Sequence, residues 1–550
     1  MKLMLRVLLV ASCLDAVGLC SAQSQIAANY RFCPSATKHQ SYVQVAGSLH
    51  GQDTLFATFT FYQFLFSSNI VTKPFTTNGG LTWQHSCPDT IIEVRSDRAA
   101  RPAIGLDGRF LMGYTTTFGY TSPAMLAVRS TDLGYSWMTS ANLTTSPDAT
   151  ALDITEDNAM SSPTAGHAYA TWTHYTSGST PATIRLRRTT DRGVTWLATQ
   201  QLSSFGSSTF SNGSNVRTGP DGEVYVCWIE QSVSSPYASR SVGLARSTDG
   251  GANWTATNNA YACNGIGGTL TSKGNISLYD YPKMAVDRSG SARYGRIYIV
   301  TPEKNLSPAG ADPDIVLRYS TNGGVSWSSG VRVNQDPLSN GKTQFSPSIA
   351  VDGSGRLFVL YYDDRNTSTD SCEVYLSCST DGGATWRDLP ASDHRYKPAR
   401  ISNSTYEGTS IAATGNHVIA CWTDNSTGTY QAWYARVAIS AIMSAREMLA
   451  MGGFLLEQNY PNPFNPTTEI RYHLPALSVQ SGQAGMSEVR HVSLKVYDVL
   501  GREVATLVND AKSAGTYSVQ WNAEGFSSGV YFYQLRSGTF SATKRMLIMK

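Results

Sequence analysis

The chain has 550 residues, room for two or three domains and a large core. Charged residues make up 15% and the formal net charge is +3, which argues against nucleic acid or an anionic membrane as the partner. Glycine (47), tyrosine (29) and tryptophan (11) are frequent and long apolar helical periods are absent, the mark of short strands joined by tight turns.

The first residues, MKLMLRVLLVASCLDAVGLCSAQ, place Lys2 and Arg6 before an apolar run that ends in small residues. This is the pattern of a secretory signal peptide, residues 1–22, cut after Ala22. Lipoprotein cleavage at Cys20 is the alternative, disfavoured by Leu19 before it. No later stretch has the ~20 apolar residues of a membrane span. Of nine cysteines, Cys13 and Cys20 fall in this segment and seven remain. Their spacing fits no metal knuckle. An oxidising compartment permits the pairs Cys33–Cys87, Cys227–Cys263 and Cys372–Cys378. The last is disfavoured, because six residues of one extended strand separate its partners by about 20 Å.

From residue 76 to 386 one short pattern recurs six times: TTNGGLTW, RSTDLGYSW, RTTDRGVTW, RSTDGGANW, YSTNGGVSW and CSTDGGATW. Its tryptophans are Trp83, Trp137, Trp196, Trp254, Trp327 and Trp386, spaced 54, 59, 58, 73 and 59 residues apart. A fixed period marks a repeat architecture. Each copy reads as a turn. The acid or amide (Asn78, Asp132, Asp191, Asp249, Asn322, Asp381) accepts bonds from amides two or three residues on. The glycine takes a positive φ, and the Trp packs between neighbouring sheets. The box itself holds no nucleophile, base or ligand set. Around it lie further strand-like runs, as in SPSIAVDGSGRLFVLYYDDR before EVYLSCSTDGGATW. Four strands in about 55–60 residues make one blade of a β-propeller.

These boxes resemble the Asp-box, or bacterial neuraminidase, repeats of sialidases and other secreted propellers, over about residues 40–440. The resemblance implies an all-β propeller in which the boxes lie away from the active site. Units start near Tyr42, Arg101, Ser161, Ser214, Tyr281, Phe345 and Glu407. The last lacks a box and has three strands, so QIAANYRF near the N-terminus is the candidate for its fourth. Seven blades are favoured, and six, the sialidase number, is the alternative. The propeller is assigned residues 23–445.

After a linker, residues 446–453, the composition changes. Residues 454–550 alternate apolar and polar positions, as in Val492-Ser493-Leu494-Lys495-Val496, between turn signals. This predicts a small β-sandwich. The stretches NYPNPFNPTT, VYDVLGREVATLV, AGTYSVQWNA and SSGVYFYQL closely resemble the C-terminal sorting domain of the type IX secretion system of Bacteroidetes. The resemblance implies the type IX machinery as partner, export across the outer membrane, and release or attachment at the cell surface.

Chemistry is expected at the channel mouth formed by the loops between second and third strands. Aligning the ends of the second strands brings Phe61, Thr116, His174, Glu230, Glu303, Asp363 and Asp424 into equivalence. An acidic arc of this kind suits a calcium ion, a basic ligand, or the acid–base pair of a glycosidase. The bland reading is that polar residues end strands and pair locally, as Asp363 and Asp364 do with Arg365. Sialidases grip the substrate carboxylate with three arginines, use a Tyr–Glu nucleophile pair and an Asp acid/base. Arg101 alone carries over, from Arg101-Pro102, which lacks the isoleucine of the family motif and follows the first box instead of preceding it. Arg217 and Arg288 stand outside any family motif, whereas Arg187 and Arg188, on a strand into a box, read as structural. Tyr281 with Glu230 is the candidate nucleophile pair, and Asp363 a candidate carboxylate. Binding or processing of an extracellular glycan or protein is the function expected, with exo-sialidase or another glycoside hydrolase as the alternative.

Overall fold

The computed structural model describes residues 27–549 except 49–52, 62–69, 86, 88–99, 119–121, 177–181, 207, 235–236, 271–275, 279, 368–370, 399–407, 443–454, 457–458, 460–463, 475–488 and 539. The signal segment and the linker lie outside the described residues.

Almost all regular structure is antiparallel strand; one four-residue helix, Ile439–Ile442, is the exception among the described residues. Six sheets of four strands follow one another over residues 40–76, 101–144, 149–201, 209–262, 283–332 and 344–390. A seventh combines three strands of residues 409–438 with Asn29–Arg31, whose Asn29, Tyr30 and Arg31 pair with Ala435, Tyr434 and Trp433. The N-terminal run thus supplies the missing outer strand. The first strands of the seven sheets contact each other in order, and Thr409–Thr414 returns onto Gln40–Gly47. A ring built this way leaves each sheet only a short inner edge on the channel and a short outer edge.

The third unit begins earlier than its expected start at Ser161. Its first strand is Ala149–Glu156, and Ser162 and Thr164 lie in the turn that follows, bonded to Asp157. The sequence ATALDITE carries no glycine or proline to announce it. Four first strands contain a β-bulge, at Ser41/Gln44, Thr150/Asp153, Asn212/Asn215 and Phe345/Ser348. Each bulge holds one left-handed residue: Tyr42, Ala151, Gly213 and Ser346. A bulge bends the strand and re-aims the residues beyond it.

The six boxes form six equivalent turns. The Ser or Thr hydroxyl donates to the Asp or Asn Oδ1 two residues on, at 2.7–2.9 Å. The same hydroxyl accepts from the glycine N–H at 2.7–3.2 Å. The Oδ1 accepts from the amide four residues on at 2.8–3.0 Å. The fourth and sixth copies also make the expected bond three residues on, from Ala252 and Ala384, and the reach to the fourth residue follows from two successive left-handed residues, such as Leu133–Gly134 and Gly250–Gly251, which widen the turn. The tryptophans pack onto the preceding sheet: Trp137 lies 5.6 Å from Phe56, Trp327 5.1 Å from Tyr261 and Trp83 5.6 Å from Tyr434, between ring centroids. Arginines add a second link between sheets. Arg188 donates to Gly250 O at 3.0 Å, and Arg436 to Gly79 O at 2.7 Å.

Cys33 and Cys87 form a disulfide, with Cα atoms 5.1 Å apart. The Cys227–Cys263 pair does not form, and neither does Cys372–Cys378, the pairing already disfavoured by strand geometry. Cys227 faces the apolar seam of the fourth and fifth sheets, where burial pushes its thiol up to about 12.

The tail is a sandwich. One sheet holds Leu455–Leu456, Thr467–Leu474 and Gly515–Asn522, the other Glu503–Lys512, Arg490–Tyr497, Gly529–Ser537 and Phe540–Ile548. Val492, Leu494 and Val496 enter its core with Tyr472, Trp521 and Met546, as the alternation predicts. Among the described residues no helix is long and apolar enough to cross a membrane.

Candidate functional site

The aligned residues do occupy equivalent strand ends. His174, Glu303, Asp363 and Asp424 lie at or next to the ends of the second strands Ala168–Tyr175, Ile297–Glu303, Leu357–Asp363 and His417–Asp424, and Glu230 two residues from the end of Val224–Ser232. Phe61 ends Leu55–Phe61, and Thr116 stands two residues from the end of Phe110–Phe118. They do not form an open acidic arc. The four carboxylates are at most 3% exposed, and each is held by a partner inside its own sheet or seam, although Glu230 Oε2 has no hydrogen-bond partner among the described residues.

Glu230 accepts from Ser211 Oγ at 2.5 Å and from Trp228 Nε1 at 2.7 Å, and burial raises its pKa. Glu303 pairs with Arg318, whose guanidinium lies over the Tyr261 ring. Asp363 meets Arg365 at 2.6 Å, and burial carries its pKa up to about 6. Asp424 accepts from Trp422 Nε1 at 2.7 Å and faces His394 Nε2 at 2.9 Å. Two of these are the same device: a Trp two residues earlier on the strand donates to the carboxylate. Among the described residues no three His, Cys, Asp or Glu side chains come together in a group that could hold a metal ion. The Tyr281 hydroxyl donates to Asn212 Oδ1 at 3.3 Å, and its ring lies against Gly213.

The described residues instead enclose a cavity of about 230 Å³ in the channel itself. All seven first strands line it, through residues 44–47, 101–104, 153–156, 215, 217–218, 283–286, 348–351 and 409–413. These are mostly the halves that lead into the turn between first and second strands. First and third strands run in the same direction, so the boxes lie at this end too. The cavity is therefore at the opposite end from the expected mouth. The bulged residues stand just before the lining segments, so the kinks mark its inner limit.

Arg101, Arg217 and Arg288 all line this cavity, with Asp153 and Glu156. The sequence does not bring them together, because they lie on three different sheets. Arg101 Nε donates to Leu152 O at 3.0 Å and Nη1 to Gln44 Oε1 at 2.5 Å, tying the first and third sheets to the second. Arg288 crosses the fourth sheet: Nη1 reaches Thr218 at 2.8 Å, and Nη2 reaches Asn158 of the third sheet at 2.5 Å. Burial lowers its pKa to about 10. Arg217 differs. Among the described residues only its Nη1 is engaged, with Asp153 Oδ2 at 3.0 Å and Val216 O at 2.5 Å, and its side chain is 36% exposed. Asp153 Oδ2 also accepts from Asn215 and the Val216 amide. Glu156 is buried against Arg109 at 3.2 Å, and burial raises its pKa to about 7. Arg187 and Arg188 hold backbone carbonyls, Arg187 those of Trp196 and Leu197 at 2.6 Å.

No curated protein matches the chain. Among solved structures, a Hadza microbial sialidase is 14% identical with a TM-score of 0.40, over 70% of this chain and 74% of that one. An α-L-arabinofuranosidase of Fusarium graminearum with arabinobiose is 14% identical, TM-score 0.38, over 61% and 92%. An ulvan lyase bound to -[GlcA(1-4)Rha3S]- is 10% identical, TM-score 0.45, over 75% and 98%. Residues 458–549 match the family described as the secretion system C-terminal sorting domain. The tail of this chain is such a sorting domain, and the chain carries an export address.

Proposed function

We propose that the protein is a seven-bladed, Asp-box propeller, sialidase-like in build, that is exported through the type IX system and binds an extracellular glycan or protein without cleaving it. Residues 1–22 act as the signal peptide, 23–445 form the propeller, and 454–550 form the address. One observation carries the choice of binding over hydrolysis. Glu230, Glu303, Asp363 and Asp424 are buried and each held by its own partner, whereas an acid–base pair must reach one glycosidic bond from two sides. The opposing reading, a glycoside hydrolase, is favoured by Arg101, Arg217 and Arg288 lining one cavity with Asp153 and Glu156. The value of about 7 at Glu156 also suits a general acid.

Two assays separate the readings. The purified chain is tested on a glycan array and on a fluorogenic sialoside. Binding without turnover is the expected result. Turnover that disappears in Arg101→Ala and Glu156→Gln replaces the binding reading with the sialidase one.

A further inference from the structure

The seam between the sixth and seventh sheets has no box tryptophan, because the last unit has no box. Residues 391–396, just after the outer strand Arg387–Pro390 of the sixth sheet, cross it instead. On one side this run is held by its own sheet: the Ala391 amide donates to Val374 O at 2.8 Å, and Tyr396 exchanges backbone bonds with Cys372. On the other it meets the N-terminal strand. Asn29 Nδ2 donates to Ala391 O at 2.9 Å, and Asn29 Oδ1 accepts from the Asp393 amide at 2.6 Å. His394 stands between the two sheets. Its Nδ1 lies 2.5 Å from Asp393 Oδ1, and its Nε2 lies 2.9 Å from Asp424 Oδ2 on the second strand of the seventh sheet. Its ring lies 4.6 Å from that of Trp433, whose strand pairs both with that second strand and with Asn29–Arg31.

An ionised carboxylate only accepts hydrogen bonds. A ring that faces a carboxylate on each nitrogen therefore needs a proton on both, which makes it the charged form. Neutral imidazole has one N–H, so on losing a proton the ring turns a lone pair towards one of its two carboxylates. Asp424 is fully buried, and its other donors, Trp422 Nε1, the Ser426 amide and Ser426 Oγ, are uncharged. The neighbouring cations are engaged elsewhere: Arg31 lies over the Trp433 ring at 5.6 Å, and Arg395 pairs with Glu373 at 2.8 Å.

We infer that His394 is a pH-sensitive clasp on the closing seam: while its ring is charged it ties the sixth sheet to the seventh, in place of the missing box, and steadies the N-terminal strand. Burial opposes the charge, but the bonds and charges of Asp424 and Asp393 outweigh it, so the folded pKa lies above the ordinary 6.5. The contribution is complete below 6.5 and is lost as pH rises through the folded value. This device stands apart from the binding function proposed above.

The test is amide hydrogen exchange of the full chain at pH ~5.5 and ~9. It is read as protection factors for peptides covering Asn29–Arg31 and, as the internal control, Val224–Ser232 of the fourth sheet. Protection of Asn29–Arg31 falls by about tenfold or more at the higher pH, and that of the control does not. His394→Gln, which keeps a neutral donor towards Asp424, removes the difference by lowering protection at the lower pH. His394→Arg, charged at both values, keeps it high throughout. Thermal melts check that each variant is folded, and the comparison in the parent chain needs neither. Equal protection of Asn29–Arg31 at the two pH values in the parent, or the parent's fall persisting in either folded variant, overturns the clasp.

Discussion

At the scale of single residues, the box turn distinguishes positions that need glycine from positions that tolerate it. Leu133 and Arg192 occupy left-handed backbone, φ 58° and 62°, where the fourth, fifth and sixth copies have glycine. A side chain there costs roughly 1 kcal/mol. Leu133→Gly therefore leaves the melting temperature unchanged or raises it, the relief of strain being partly offset by the entropy of glycine. Gly251 is different: a Cβ would meet the Tyr169 ring at 3.0 Å and Arg188 Cδ at 3.1 Å, at φ 82°. Gly251→Ala is expected to destabilise by more than about 1 kcal/mol in chemical denaturation. The acids titrate in opposite senses. Hydrogen bonds from Thr195 and Thr189 outweigh burial and bring Asp191 down to about 2. Its contribution is present above the ordinary carboxylate range and is lost as pH falls towards 2. Asp191→Asn, matching the amides of the first and fifth copies, should fold and lose part of that acid limb. Glu156 has its folded value raised to about 7. Between pH ~4.5 and 7 the folded state holds a proton that the unfolded chain has released, so stability falls as pH rises. Glu156→Gln should flatten the fall, read from melting temperature against pH.

At the scale of elements, six of the seven seams are locked by a box tryptophan, the seam into the boxless seventh sheet being the exception, and some also by an arginine reaching the box carbonyl. Arg188→Ala removes the donor to Gly250 O, and a loss of about 1–3 kcal/mol is expected, with less in Arg188→Lys. The disulfide Cys33–Cys87 closes a segment of 54 residues and should stabilise by about 2–4 kcal/mol, measured as a drop in midpoint on reduction. These elements also show why the fold was readable and the site was not. Six copies of one turn declare the ring from local spacing, and Asn29–Arg31 could be assigned because an incomplete last unit demands a strand. The alternation in Val492–Val496 likewise shows which face is buried. The channel depends on bulges, and nothing in Tyr42, Ala151 or Ser346 announces a left-handed residue in mid-strand. Second-strand ends align correctly, yet alignment does not distinguish a carboxylate facing solvent from one bonded to Trp228 or Trp422. Arg101, Arg217 and Arg288 had been singled out one by one; only the ring brings them to one cavity.

At the scale of the whole molecule, the ring's two ends meet in the seventh sheet. Deleting residues 27–32 removes its outer strand and should lower the melting temperature by well over 5 °C, without altering the sorting tail. The seventh sheet pairs Asn29–Arg31 with Trp433–Ala435, and the sorting domain begins only after those partners in the chain. Synthesis runs from the N-terminus, so the order of assembly is fixed by the order of the code. Asn29–Arg31 is made some four hundred residues before its neighbour. The address is written after both. A chain truncated anywhere before its ring can close is also a chain with no destination, so the order of segments screens out incomplete copies before the machinery meets them.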